Sequence, residues 1–322
     1  MYLPAMITDQ IQPGEIFFPY ASERRKAVTT NGRRLVHYTR ADAAINILKS
    51  KSIWMRKASC MNDFMEVQHG LECLAEAYRG EAGADLKATL NGIFNGITGD
   101  LERLFDGWQP FLRRDTYVTC FSEHLNEEDD LGRLSMWRAY GGTTGVALVV
   151  NTAPFFSPSD ALRAYSSPVA YLDDKAFGQE LLKLADHIKA AADFVRALGR
   201  ETVTAYLFNA FKFAALCTKH PGFREEMEWR IIYTPAIEKS PHLLKEVQVI
   251  NGTPQPIYKI PLRNLPNENL VGIEVPELLQ SVIIGPTDYA PAIREAFESL
   301  LADAGVDDPA SRIRVSDIPL RV

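Results

Sequence analysis

The segment with the most chemical potential is Glu226-Met227-Glu228-Trp229-Arg230. Side chains of a β-strand alternate between its faces, so Glu226, Glu228 and Arg230 are predicted to share one face, with Met227 and Trp229 on the core side. Two carboxylates beside a guanidinium can stabilise positive charge on a bound sugar or polarise a hydroxyl group. An ion-paired ladder on an exposed sheet face would show the same pattern, so both interpretations stay open.

His37 is the second candidate, in a predicted strand over residues 33–38. Alternation places it on the face opposite Val36 and Tyr38, where the strand ends and a helix begins. A neutral imidazole there can hydrogen-bond a ribose hydroxyl. A structural histidine bonded to a loop carbonyl is the alternative.

Aromatic and polar side chains around residues 120–140 form the third candidate. Trp137 and Tyr140 lie three residues apart and are predicted to share one helix face. Beside the polar strand end at Ser122, these rings can stack on a planar ligand, but packing into the core is the alternative. Cys120 is predicted to be an inert core thiol.

Asn62 is placed to cap a helix that begins in the segment 62–66. The acidic run 127–130 lacks the spacing of a calcium-binding loop, so a solvated loop is predicted there. We therefore expect no metal site.

The elements around these residues predict an α+β fold. Residues 1–33 are expected to be an irregular lead-in, and residues 34–322 a single domain with helical insertions near 63–112 and 175–219. Predicted strands are scattered among helices without regular alternation, which favours a central mixed or antiparallel sheet over a doubly wound one.

Composition narrows the function classes. The 322 residues are 46% hydrophobic and 24% charged, with a net charge of −6, which is typical of a globular chain and gives no general footprint for nucleic acid or anionic membrane. No apolar run in the sequence reaches about 18 residues, so no membrane-spanning helix is predicted. Four dispersed cysteines without a CxxC pair favour thiols in a reducing cytoplasm. P-loop, Rossmann, zincin, α/β-hydrolase and zinc-deaminase motifs are not found in the sequence.

Several short blocks, in this order, resemble the bacterial family DUF2971, a domain of unknown function. They are LVHYTRADAAINIL, MNDFME, CFSE, MWRAYGGTTGVALVV, FREEMEWRIIY and VIIGP, which span the chain from Leu35 to Pro286. The family name implies no activity. Its members occur as stand-alone cytosolic proteins, and some occur in phage-defence settings by abortive infection.

The order of histidine, tyrosine and glutamate also resembles the His–Tyr–Glu pattern of ADP-ribosyltransferases. This resemblance implies an ADP-ribosyltransferase-like fold in which His37 contacts a ribose of NAD, Tyr140 stacks on nicotinamide and Glu228 is the catalytic carboxylate. Trp137 competes for the stacking role, and Glu226 would activate the acceptor. The predicted catalytic set is therefore Glu228, Glu226 and Arg230, and the predicted cofactor-binding set is His37, Tyr38, Tyr140, Trp137, Ser122 and Asn62.

The resulting hypothesis is an NAD-consuming ADP-ribosyltransferase, or an NAD glycohydrolase, that acts as a bacterial toxin or phage-defence effector. A carboxylate near the 2-hydroxyl would stabilise the oxocarbenium-like sugar. NAD is its expected substrate, and a protein or a nucleic acid is a possible acceptor. The alternative is a non-catalytic module that binds a nucleotide or a protein. A nucleic-acid-processing factor, suggested by basic residues at 24–26 and 33–34, is disfavoured by the overall acidity.

Overall fold

The computed structural model describes residues 12–61, 66–250 and 252–320. The chain divides into two compact units. Unit 1 comprises Met1–Arg24, Met65–Pro110 and Ala170–Pro221, and unit 2 comprises Arg25–Phe64, Phe111–Val169 and Gly222–Val322. Most residues of the helical insertions predicted near 63–112 and 175–219 fall in unit 1.

The helices, in chain order, are α1 (Pro13–Phe17), α2 (Pro19–Thr30), α3 (Ala41–Ser50), α4 (Glu66–Arg79), α5 (Glu81–Ile93), α6 (Ile97–Arg114), α7 (Leu134–Met136), α8 (Asp174–Ala190), α9 (Ala192–Leu198), α10 (Arg200–Leu216), α11 (Val275–Leu278) and α12 (Ala290–Asp303). The strands are β1 (Arg34–Arg40), β2 (Ser52–Lys57), β3 (Tyr117–His124), β4 (Gly145–Val150), β5 (Tyr165–Pro168), β6 (Ala170–Tyr171), β7 (Thr218–Lys219), β8 (Glu228–Tyr233), β9 (Leu244–Ile250), β10 (Thr253–Pro261), β11 (Leu279–Ile284) and β12 (Ile313–Val315).

Unit 1 is mainly helical. Its core consists of apolar side chains at helical spacing, such as Leu86 and Leu90 on α5 and Leu207 on α10. Gly70 of α4 lies so close to α10 that an added Cβ would stand 2.2 Å from the Ala215 carbonyl oxygen. Strands β6 and β7, which both belong to this unit, pair in parallel as a two-stranded sheet. Within the described ranges, no helix has the length and apolar character needed to cross a membrane.

The prediction of an irregular lead-in over residues 1–33 is wrong for the described part of that segment. Helices α1 and α2 occupy most of it, each with a proline at its first position, where the missing N–H costs no hydrogen bond. No glycine or proline interrupts residues 20–30. The sequence of α2 does not predict a helix, because it has few apolar side chains at helical spacing.

Unit 2 is built on a mixed sheet, which confirms the predicted α+β class. Its main strand order is β12-β11-β4-β1-β3-β2-β10-β9, and β8 joins β3 and β5. The pairing is antiparallel throughout except between β11 and β12. Outside the named strands, an isolated antiparallel bridge pairs Leu265 with Leu270.

The two faces of this sheet are different environments. Face A, the side that carries Leu35, Phe121 and Leu148, packs against α3, α11 and α12 in the main apolar core. Face B, the opposite side, carries Val36 and Tyr38 and packs against α7 and the turn that follows it. Residues directly opposite each other on antiparallel strands share a face, so the register assigns every neighbouring side chain to A or B.

Trp137 anchors face B. Its side chain is 2% exposed, its ring meets Tyr38 edge-to-face at 4.8 Å, and its Nε1 donates to the Leu131 carbonyl at 2.8 Å. A Cβ added to Gly132 would stand 2.5 Å from the indole, and one added to Gly285 would stand 2.8 Å from it. Glycine at these two positions therefore makes room for the ring.

Replacement of Gly285 by alanine is predicted to lower the free energy of unfolding by about 1–3 kcal/mol, because the methyl group overlaps the indole of Trp137. Urea unfolding followed by far-UV circular dichroism measures this change. Gly107→Ala is the matched control, since a Cβ there meets nothing within 4 Å and alanine favours the helix α6 by about 0.5–1 kcal/mol. Equal destabilisation by the two variants would contradict the prediction.

Candidate functional site

The predicted row of three charged residues is interrupted at Met227. This residue has a left-handed backbone with φ of 46°, and Glu226 ends the short helical turn Pro221–Glu226 that precedes β8. The Met227 carbonyl accepts a hydrogen bond from the Glu123 N–H at 2.9 Å. Strict alternation therefore begins only at Glu228, so Glu226 does not continue the row formed by Glu228 and Arg230.

Glu228 and Arg230 form a buried ion pair. Their exposed fractions are 6% and 4%, and the guanidinium donates through Nε to Oε1 at 2.7 Å and through Nη2 to Oε2 at 3.3 Å. This differs from the exposed ladder considered for the sequence. A charge is costly to bury unless it is paired, and each of these two groups supplies the opposite charge that the other needs within the sheet.

Most of the predicted residues near Glu228 do lie together, on face B. Ser122 of β3 pairs with Glu228 of β8 and, on its other edge, with Val36 of β1. Tyr38 follows two residues later on the same face and contacts Trp137. The five predicted residues in this group are nearly closed to solvent: Tyr38, Ser122, Trp137, Glu228 and Arg230.

His37 lies on face A, where it pairs with Leu148, and the structure therefore does not bring it to Glu228. Its Nδ1 is 2.8 Å from the Cys120 carbonyl oxygen. A carbonyl oxygen only accepts, so Nδ1 carries the proton. Burial lowers the pKa of His37, opposed by this hydrogen bond, and the imidazole is neutral at pH 7. This is the structural role considered above.

The cavity beside His37 is small and apolar. Phe121 and nine aliphatic side chains line it with the imidazole, and its volume is about 20 Å³. A single water needs roughly 10–15 Å³ on this measure. A ribose or a nicotinamide ring does not fit, so this cavity gives His37 no nucleotide to contact.

Tyr140 and Trp137 occupy different environments, although they are close in sequence. Tyr140 is 37% exposed, and its hydroxyl donates a hydrogen bond to Glu226 Oε1 at 3.2 Å. The Trp137 side chain, in contrast, is buried in the core. The turn at Trp137–Gly141 is wider than an α-helical one, which separates the two side chains. Tyr140 and Glu226 thus form a partly exposed pair at the end of β8. Asn62, the remaining predicted site residue, lies outside the described residues.

Sequence reasoning missed Arg133, which joins the segments on either side of this pair. Its Nη1 donates to the Glu225 carbonyl at 2.8 Å and to the Glu226 carbonyl at 3.3 Å. Its Nη2 donates to the Glu123 carbonyl at 2.8 Å and to Glu128 at 3.0 Å, and its Nε donates to Glu128 at 2.7 Å. We call Arg133 and these acceptors the Arg133 cluster. A lone arginine before a short helix gives no sequence signal for such contacts.

Four large apolar side chains are exposed on the two segments that the Arg133 cluster joins. We call them the exposed corner: Leu131, Leu134, Tyr140 and Phe223, which are 39%, 37%, 37% and 40% exposed. Exposed apolar side chains with charged groups on the same segments are typical of interaction surfaces. Here Arg133, Glu225 and Glu226 supply those charged groups.

Comparison with known proteins bears on the same region. The model of a family described as protein of unknown function (DUF2971) matches residues 136–231, which contain Tyr140, Phe223, Glu228 and Arg230. Neither the search of curated proteins nor that of solved structures found a match. The family match confirms, over residues 136–231, the resemblance to DUF2971 indicated by the sequence blocks.

Proposed function

We propose that this protein is a non-catalytic binding module that recognises a protein partner through the exposed corner. The observation that carries the proposal is the contrast between two regions. The predicted catalytic carboxylate of Glu228 is 6% exposed and ion-paired with Arg230, whereas the apolar side chains of the exposed corner face solvent. Catalysis needs a carboxylate that a substrate can reach, and recognition of a protein needs an accessible apolar surface.

The chemistry of the corner favours a protein over a small ligand. Aromatic and leucine side chains with a charged rim resemble the composition of protein interfaces. The cavity beside His37, by contrast, takes about one water. A cytoplasmic location is part of the proposal, and the thiol state of Cys60, Cys73, Cys120 and Cys217 is compatible with it. A role in phage defence rests on the family resemblance alone.

Replacement of Leu134 by aspartate is predicted to weaken the complex with this partner by about 10-fold or more, because a charge then lies in the apolar contact. The partner is isolated from the native host with tagged protein, identified, and its affinity measured by calorimetry with purified components. Val247→Asp is the matched control, since Val247 is 70% exposed on β9. The proposal fails if the purified partner binds Leu134→Asp as well as wild type, or if no stoichiometric partner is recovered.

An NAD-consuming activity is the second candidate, and one observation favours it. Ser122 and Glu228 are directly paired on face B, and Glu226 with Tyr140 lies at the accessible end of β8. NAD docked on the Tyr140 ring would place its ribose near the Glu226 carboxylate. Glu228, buried behind it, would then need a movement of the turn Pro221–Glu226 to be reached.

Wild-type protein incubated with NAD and protein, DNA or RNA acceptors should release nicotinamide if this second candidate is correct. Glu226→Gln is then predicted to lower the rate by about 100-fold, since an electrostatic partner of the transition state is lost. Glu225→Gln, an exposed glutamate one position earlier, is the control and should retain the rate. Chromatographic measurement of nicotinamide decides the matter, and no release by wild type with any acceptor excludes the activity.

A further inference from the structure

His124 stands out among the buried titratable groups of unit 2. Its side chain is 0% exposed, and its Nδ1 is a buried nitrogen without a hydrogen-bond partner. Its Nε2 lies 2.8 Å from Asp129 Oδ1. A carboxylate only accepts, so Nε2 carries the proton and Nδ1 holds a lone pair in the neutral ring. Buried polar atoms are normally satisfied, so the unpartnered Nδ1 requires an explanation.

The charged group that faces this nitrogen is Glu128, whose Oε2 lies 3.7 Å from Nδ1. That separation is too long for a hydrogen bond, but a shift of less than about 1 Å would form one. The same Oε2 accepts hydrogen bonds from Arg133 Nη2 at 3.0 Å and from the Leu125 N–H at 3.1 Å. The Glu128 carboxylate thus lies between the guanidinium of Arg133, which donates to it, and the imidazole of His124, which can donate to it when Nδ1 is protonated.

Charged side chains from β1 and from the loop after β3 surround His124. Arg34 of β1, which pairs with His124 in the sheet, donates to Asp129 at 2.5 Å. The loop after β3 supplies Asp129 and Glu128, and Arg133 follows it. Burial lowers the pKa of His124, and the hydrogen bond to Asp129 partly offsets that effect. The ring is therefore neutral at pH 7 and takes up its second proton only below the ordinary histidine value of about 6.5.

A metal ion is a poorer occupant of this position than a proton. The guanidinium groups of Arg34 and Arg133 lie near this position and would repel a cation. The described residues contain no group of three or more histidine, cysteine, aspartate or glutamate side chains arranged for a metal. A proton needs only Nδ1 and one acceptor, and Glu128 supplies that acceptor.

We propose that His124 is a proton-operated switch of the Arg133 cluster. When Nδ1 is protonated it donates to Glu128 Oε2, and the carboxylate moves away from Arg133. Arg133 also holds the carbonyl oxygens of Glu225 and Glu226, so its release loosens the turn before β8 and, with it, the exposed corner. This inference does not depend on the proposed partner, because every readout below uses the isolated protein.

Histidine side-chain NMR on the full chain tests the switch. His124, assigned by the signal lost in His124→Gln, is expected to titrate below about 6.5. Glu128→Gln should weaken its proton affinity by a further 10-fold or more, because the opposite charge that stabilises the imidazolium is removed. Glu127→Gln, the same change at an exposed position of the same loop, is the control and should leave the titration unchanged.

Amide hydrogen exchange supplies the second readout. After correction for the intrinsic pH dependence, amides of residues 224–227 should exchange faster in wild type once His124 is protonated. Glu127→Gln should behave like wild type, whereas in Glu128→Gln this exchange should no longer follow His124. If Glu128→Gln does not fold, the wild-type titration and exchange profiles decide alone. The proposal is overturned if His124 titrates at or above the ordinary value, if Glu128→Gln and Glu127→Gln titrate alike, or if exchange at 224–227 ignores His124.

Discussion

The alternation of side chains along three adjacent strands, β1, β3 and β8, decides which chemical groups can meet in unit 2. A shift of one residue moves a side chain to the other face of a sheet. His37 falls on face A with Leu148, whereas Ser122 and Glu228 fall on face B. No rotamer change carries a side chain through a hydrogen-bonded sheet, so this separation follows from the backbone and holds in any state that keeps the strands paired.

Much of this arrangement was accessible from sequence. Alternation in Leu35-Val36-His37-Tyr38 correctly places His37 on the face opposite Val36 and Tyr38. What sequence could not supply was the relation between strands. A strand's own pattern tells which of its residues share a face, but only the register of its partner tells whether that face is A or B. His37 and Glu228 are 191 positions apart, and nothing local links their orientations.

The turn before β8 illustrates a different limit. Alternation predicts that Glu226, Glu228 and Arg230 share one face of a strand, and the left-handed backbone of Met227 breaks that pattern. Methionine gives no sign of a positive φ, which is usually found at glycine, asparagine or aspartate. The surrounding contacts hold the residue there, since Glu123 and Arg133 both bond the backbone of 225–227. Arg133 is thus a tertiary determinant of local backbone shape, and such determinants are invisible when each segment is examined alone.

The position of β8 in the strand order also bears on how the polypeptide acquires its structure during synthesis. Strand β3 pairs along one edge with β8, which lies over a hundred residues later in the chain, since Phe121 pairs with Trp229. The last segment of the helical unit ends at Pro221, before that neighbour leaves the ribosome. Domains generally fold as units while the chain is being made. One edge of a central strand therefore stays unpaired in the nascent chain until the helical unit has been translated completely.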